Sequence, residues 1–172
     1  MGIARFIKAL AAVALFNGAL YMCVCEEAVA ANNEADAKKY TEDLRKGKDA
    51  KVKATALLEL GKLAAIQKSL VEDALPDIYK ALEDKDASIR AAAATCLGQC
   101  DEPVDKAIPL LTKMLKEDKE DAVKIGALRG LASMGPAAKS ALPDINNLAG
   151  DKKSAVGKAA IAARKAIVPK KQ

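Results

Sequence analysis

Two cysteines stand where they could meet, in CLGQC, as Cys96 and Cys100. Thiols four residues apart on a helix have Cα atoms roughly 6 Å apart, inside the range a disulfide allows but near its edge. Gly98 lies between them and would ease the geometry by ending the helix. Three readings stand at this point. The pair is a structural disulfide, which an oxidising compartment permits. It is two thiols packed as small apolar groups. Or it is a redox-active or metal-binding pair, although the spacing is C-x3-C and not the C-x2-C of thioredoxin-type sites. The chain has no histidine. That removes the usual general base, the commonest metal ligand and any Ser-His or Cys-His arrangement. No phosphate-binding glycine loop and no G-x-S-x-G occurs. The acids of KEDKED (116–121) fall among lysines in an expected turn. They read as a solvated loop with helix caps, with a calcium or carboxylate cluster as the rival. No catalytic, metal-ligating or cofactor-binding residue is therefore assigned, and the expectation is a non-enzyme.

The elements around the cysteines repeat. ALPDI occurs at 74–78 and again at 141–145, and AIPLL at 107–111 has the same shape. Pro76, Pro109 and Pro143 are 33 and 34 residues apart, and Ile89, Val123 and Val156 are 34 and 33 apart. A fixed period near 34 signals stacked helical repeats. An earlier unit, DAKVKATALLELGKLA, aligns Val52 with Ile89 and Leu60-Gly61 with Leu97-Gly98, but lacks the proline phrase. The units are expected at about 33–68, 69–102, 103–137 and 138–168.

Each unit carries two helical patterns. First helices place Leu75, Ile78, Leu82; Ile108, Leu111, Leu115; and Leu142, Ile145, Leu148 on one face. The prolines are expected in the first turn, where a missing N–H costs nothing. Second helices place Val52, Ala56, Leu57, Leu60; Ile89, Ala93, Ala94, Leu97; and Val123, Ala127, Leu128, Leu131 on one side. Gly126 and Gly130 fall inside the third second helix, each costing about 1 kcal/mol relative to Ala. With Thr55 and Ala92 they form a stripe of small residues. Close helix packing is one reading of it, and a shallow groove admitting a partner segment is the other.

LEDKDASIRAAAATCLG closely resembles the HEAT-repeat consensus, in the short variety also found in phycobilin-lyase subunits. The matching residues are Leu82, Asp84, Ile89-Arg90, Ala94 and Leu97-Gly98. MGPAAKSALPDI (134–145) is similar to a junction of that family. The resemblance covers about 37–168 and implies an all-α, right-handed solenoid of about four helix pairs. It also implies a ladder between neighbouring repeats, from turn acids Asp84, Asp118 and Asp151 to bases Lys53, Arg90 and Lys124. Gly47 replaces the acid in the first unit, and Gly157 replaces the base in the fourth. Such departures suit terminal repeats that act as caps.

The N-terminus reads as a targeting segment. Arg5 and Lys8 precede an apolar stretch at 9–25, and AVA at 28–30 offers the small residues a signal peptidase needs. Residues 1–30 are expected to be a signal peptide cleaved after Ala30, or alternatively after Cys25; an uncleaved membrane anchor is the rival. Contact with a membrane is expected only during export, through residues 1–25, and the location is periplasmic or secreted. Residues 169–172 form a short basic tail. Hydrophobic residues make up 51% of the chain but aromatics only 3%, so the core must be Leu, Ile, Val and Ala. The net charge of +5 is mixed along the chain without a basic stripe interleaved with aromatics, which argues against a nucleic-acid partner. The expected function is an exported interaction module or scaffold that holds another protein or peptide. A self-assembling envelope component and a bilin-lyase-like accessory protein are the alternatives.

Overall fold

The structure, a computed structural model, describes residues 18–168, with side chains from residue 30 onward. The basic head of the expected signal and the basic tail lie outside the described residues. Eight α-helices are seen among those described, and no strand. They are α1 (Gly18–Lys46), α2 (Ala50–Ile66), α3 (Leu75–Ala81), α4 (Ala87–Leu97), α5 (Val104–Glu117), α6 (Asp121–Ser133), α7 (Leu142–Leu148) and α8 (Ala155–Ile167). The chain divides into two compact units at Asp36 and Ala37. Both expected cleavage positions fall within α1, on the N-terminal side of that division. No helix among the described residues is long and apolar enough to cross a membrane.

From Ala37 onward the chain is an α-solenoid of paired helices. Second helices α2, α4, α6 and α8 stack closely on one another, and the first helices α3, α5 and α7 each pack mainly on their own second helix. The reason is side-chain size. The second helices meet through Ala and Gly, which let backbones approach, while the first-helix layer is looser. Leu57, Leu60, Ile78, Leu97, Leu111, Leu128, Leu131, Ile145 and Ile167 fill the space between layers and are fully buried. Among the described residues the fully buried core contains no aromatic ring; Tyr40 and Tyr79 pack against it from partly buried positions.

Local signals set the helix starts. Asp86 caps α4 by accepting from the Ser88 N–H at 2.8 Å, and Ser154 caps α8 by accepting from the Gly157 N–H at 2.9 Å. Pro76 and Pro143 lie in the first turns of α3 and α7, each preceded by a 3-10 turn. Pro109 departs from the expectation. It sits inside α5, which begins five residues earlier at Val104, capped by Pro103. Its ring removes the N–H that would bond the Asp105 carbonyl, a group in the exposed first turn where water can serve instead. A second departure is Val52, which is 41% exposed while its register mates Ile89 and Val123 are buried. Val52 belongs to the first described repeat, and among the described residues no preceding second helix covers it.

Candidate functional site: the inter-repeat ladders and an outer groove

The three turn acids share one job. Asp84 Oδ1 accepts from the Asp86 N–H at 2.9 Å, Asp118 Oδ1 from the Glu120 N–H at 3.0 Å, and Asp151 Oδ1 from the Lys153 N–H at 3.0 Å. Each tightens the turn between the two helices of its repeat. Arg90 adds the link between repeats. Its Nε and Nη2 donate to Asp118 Oδ2 and Oδ1 at 2.8 and 3.1 Å, while Nη1 donates to the Asp84 and Lys85 carbonyls at 2.8 and 3.1 Å. The hydrogen bond from Arg90 holds the Asp118 carboxyl below its usual range, and Asp118 raises the guanidinium in return.

Lys53 and Lys124 form no ion pair among the described residues. Lys53 shares a cavity of about 320 Å3 with Asp84, and Lys124 lies near enough to Asp118 to help lower its carboxyl. One rung of the expected ladder is therefore closed, and it is the arginine rung. The planar fork of Arg meets a carboxylate at two points and still reaches carbonyls; a Lys ammonium is a single hydrated charge.

A second ladder, which the family resemblance does not imply, runs along the first helices. Arg45 Nε donates to Asp77 at 2.6 Å and Arg45 Nη2 to the Asp73 carbonyl at 2.8 Å, joining the first repeat to the second. Lys116 pairs with Asp144 at 3.1 Å, joining the third to the fourth. Asp77 and Asp144 are the acids of the two ALPDI phrases. Each base follows a buried leucine, Leu44 or Leu115. Between the second and third repeats both positions change. Glu83 follows Leu82 where a base would stand, and AIPLL puts Leu110 where the acid would stand. The loss of Asp from the middle phrase was the available signal.

At that broken rung lies a groove of about 580 Å3 between α3 and α5. Tyr79, Leu82, Leu110 and Met114 supply its apolar lining, and Lys80, Glu83, Lys113 and Glu117 are among the charges at its edge. Leu110 is 36% exposed. The Tyr79 hydroxyl donates to Glu102 at 2.6 Å, which fixes the ring. Burial and the Glu102 carboxylate push its phenol above the usual tyrosine range.

The stripe of small residues is divided by the stack. Gly126, Gly130 and Ala92 are buried between second helices, and Thr55 is exposed on the first repeat. A Cβ on Gly126 would collide with the Ala91 carbonyl and stand 2.8 Å from Ala91 Cα. A Cβ on Gly130 would collide with the Ala94 carbonyl. At both glycines the neighbouring repeat already occupies the space that a partner segment would need.

Comparison with protein families matches a model of HEAT repeats to residues 38–132, from the end of α1 through most of α6. The chain belongs to the HEAT-repeat family. No curated protein matches it. The fourth HEAT-like pair, α7 and α8, lies beyond the matched residues but stacks on α6 as α6 stacks on α4. Within this HEAT stack Cys96 and Cys100 are fully buried free thiols, with their sulfurs 3.7 Å apart. Contact with Cys100 and burial hold the Cys96 thiol protonated, well above its usual range. No cluster of metal-ligating side chains occurs among the described residues.

Proposed function

We propose that this HEAT-repeat protein is a non-catalytic, exported interaction module that holds a protein segment in the groove between α3 and α5. HEAT repeats are commonly protein-interaction scaffolds. The observation that carries the reading is the paired exchange at one junction. The acid and the base of the outer ladder are both lost there, and an exposed leucine over an apolar groove replaces them. A solvated junction of purely structural purpose has no need of Leu110 in that position. The groove suits a segment that inserts an apolar side chain between Leu82, Leu110 and Met114 and sets a basic residue beside Glu83. With few aromatic anchors on its side, affinity of about micromolar strength is expected unless the partner supplies them. Export is inferred from the basic head, apolar stretch and AVA of the N-terminus.

The test is affinity capture from the envelope fraction of the source cell, with wild type and the Glu83→Arg/Leu110→Asp double variant as parallel baits. A stoichiometric prey held by wild type and lost by the variant supports the groove. A prey held equally by both moves the site elsewhere on the stack. Bait recovered only with copies of itself favours a self-assembling role. The mass of the mature bait reports whether residues 1–30 have been removed.

A further inference from the structure

The end of α4 carries chemistry that the ladders and the groove leave unused. The helix stops at Leu97, and the chain coils once more through the Gln99 N–H to the Cys96 carbonyl at 2.9 Å and the Cys100 N–H to the Leu97 carbonyl at 3.2 Å. This extra turn lays the Cys100 sulfur against that of Cys96, at 3.7 Å, with both residues 0% exposed. Asp101, with φ of 50°, then turns the chain away toward α5.

Repeat register shows how unusual the pair is. The positions of Cys96 and Cys100 are filled by Glu59 and Leu63 in the first repeat, Gly130 and Met134 in the third, and Ala163 and Ile167 in the fourth. The second position is a large apolar residue in all three. Either cysteine alone would be an ordinary small filler. Here both positions change together, in side-chain contact, and residues 37–172 contain no other cysteine.

We propose that Cys96 and Cys100 form a dithiol–disulfide couple, with a small-molecule or protein disulfide as the oxidant. Cys100 lies beyond the helix end and is the first to be freed when the 98–103 turn opens or before it has folded. Its thiolate attacks one sulfur of the oxidant, forming a mixed disulfide and expelling one thiolate. The Cys96 thiolate then attacks the Cys100 sulfur, closes the intramolecular bond and expels the second thiolate. Two electrons pass to the oxidant, and the two cysteine protons end on its two released thiols. Closure brings the sulfurs from 3.7 Å to about 2 Å. Cys96 is held in α4, its Cα packed toward Gly61 of α2, so Cys100 and its turn make the movement. Once closed, the bond is shielded from reductants by the same burial.

The full chain, unfolded in reductant, is refolded across a series of reduced-to-oxidised glutathione ratios. It is then quenched in acid, unfolded without reductant, alkylated and mapped by mass. The tryptic peptide 91–106 contains both cysteines. At oxidising ratios it is expected to be two hydrogens lighter and to take no alkylating agent, and the oxidised protein is expected to melt a few degrees above the reduced one. Cys96→Ala is expected to give only a glutathione adduct on Cys100, which shows that the bond in wild type joins these two residues. Two alkylated thiols at every ratio, or glutathione adducts on wild type without the internal bond, overturn the proposal. Peptide 91–106 bonded in protein taken from its source supports the couple in the cell. A peptide reduced there, yet bonded in glutathione, leaves the couple standing and counts against export.

Discussion

Arg90 and Asp118 are 28 residues apart in sequence and joined at two points in space, by bonds of 2.8 and 3.1 Å. The same guanidinium holds the Asp84 carbonyl of its own turn at 2.8 Å. One side chain thus fixes the turn of the second repeat against the turn of the third. Its side chain is 18% exposed and that of Asp118 12%, so water competes weakly for either partner.

Arg90→Ala leaves the Asp118 carboxylate shielded and unpaired and releases two carbonyls. It is expected to lower unfolding free energy by ~2–3 kcal/mol in a denaturant titration followed by circular dichroism. Arg45→Ala removes an ion pair whose arginine is 50% exposed, and the same titration should find a loss below about 1 kcal/mol. Equal losses for the two variants would show that burial of the Arg90 pair is not what makes it matter.

Acid should weaken the same rung. The Asp118 carboxyl is held below its usual range in the folded protein, so the unfolded chain takes up this proton first as pH falls. The stabilisation is complete above about pH 4, the unfolded value, and is lost as pH drops through the lower folded value. The stability difference between wild type and Arg90→Ala is therefore expected to shrink as pH is lowered from neutral through the depressed folded value. A difference independent of pH would mean that the arginine acts through its carbonyl contacts and packing alone.

Gly126→Ala tests the close approach of α4 and α6. Alanine is a better helix former by about 1 kcal/mol, yet its methyl would press on the backbone of Ala91, which cannot move without parting the stack. Overpacking of this kind costs ~1–3 kcal/mol, so a net loss of stability is expected. Gly150→Ala serves as the control, because its Cβ would have only the Asn147 carbonyl nearby, at 3.4 Å. It should change stability little.

The double variant Glu83→Arg/Leu110→Asp writes into the middle junction the pair seen as Arg45–Asp77 and Lys116–Asp144. Its stability is expected to stay within about 1 kcal/mol of wild type, with a favourable coupling of a few tenths between the two changes in a double-mutant cycle. Zero or unfavourable coupling would mean that the junction is too wide for the rung, and that the groove reflects spacing as well as side-chain choice.

What the sequence determined by itself was local and periodic. The 34-residue spacing and the apolar faces of first and second helices follow from hydrophobic periodicity within a few turns of chain, and the aspartates in the turns are what the resemblance to HEAT repeats implies. Those forces act without reference to the rest of the fold; they point to stacked pairs of helices, and the resemblance implies the solenoid. Tertiary structure decided what depends on the distance between repeats. Arg90 reaches its acid while Lys53 and Lys124 form no pair among the described residues, because closure depends on side-chain length and head-group shape across a particular gap. Gly126 and Gly130 are covered because the neighbouring helix comes close enough to need their missing side chains. Pro109 lies inside α5 because that helix is longer than its counterparts in the second and fourth repeats. Glu83 and Leu110, 27 residues apart and each an ordinary surface choice alone, come to line one groove only after the repeats have stacked.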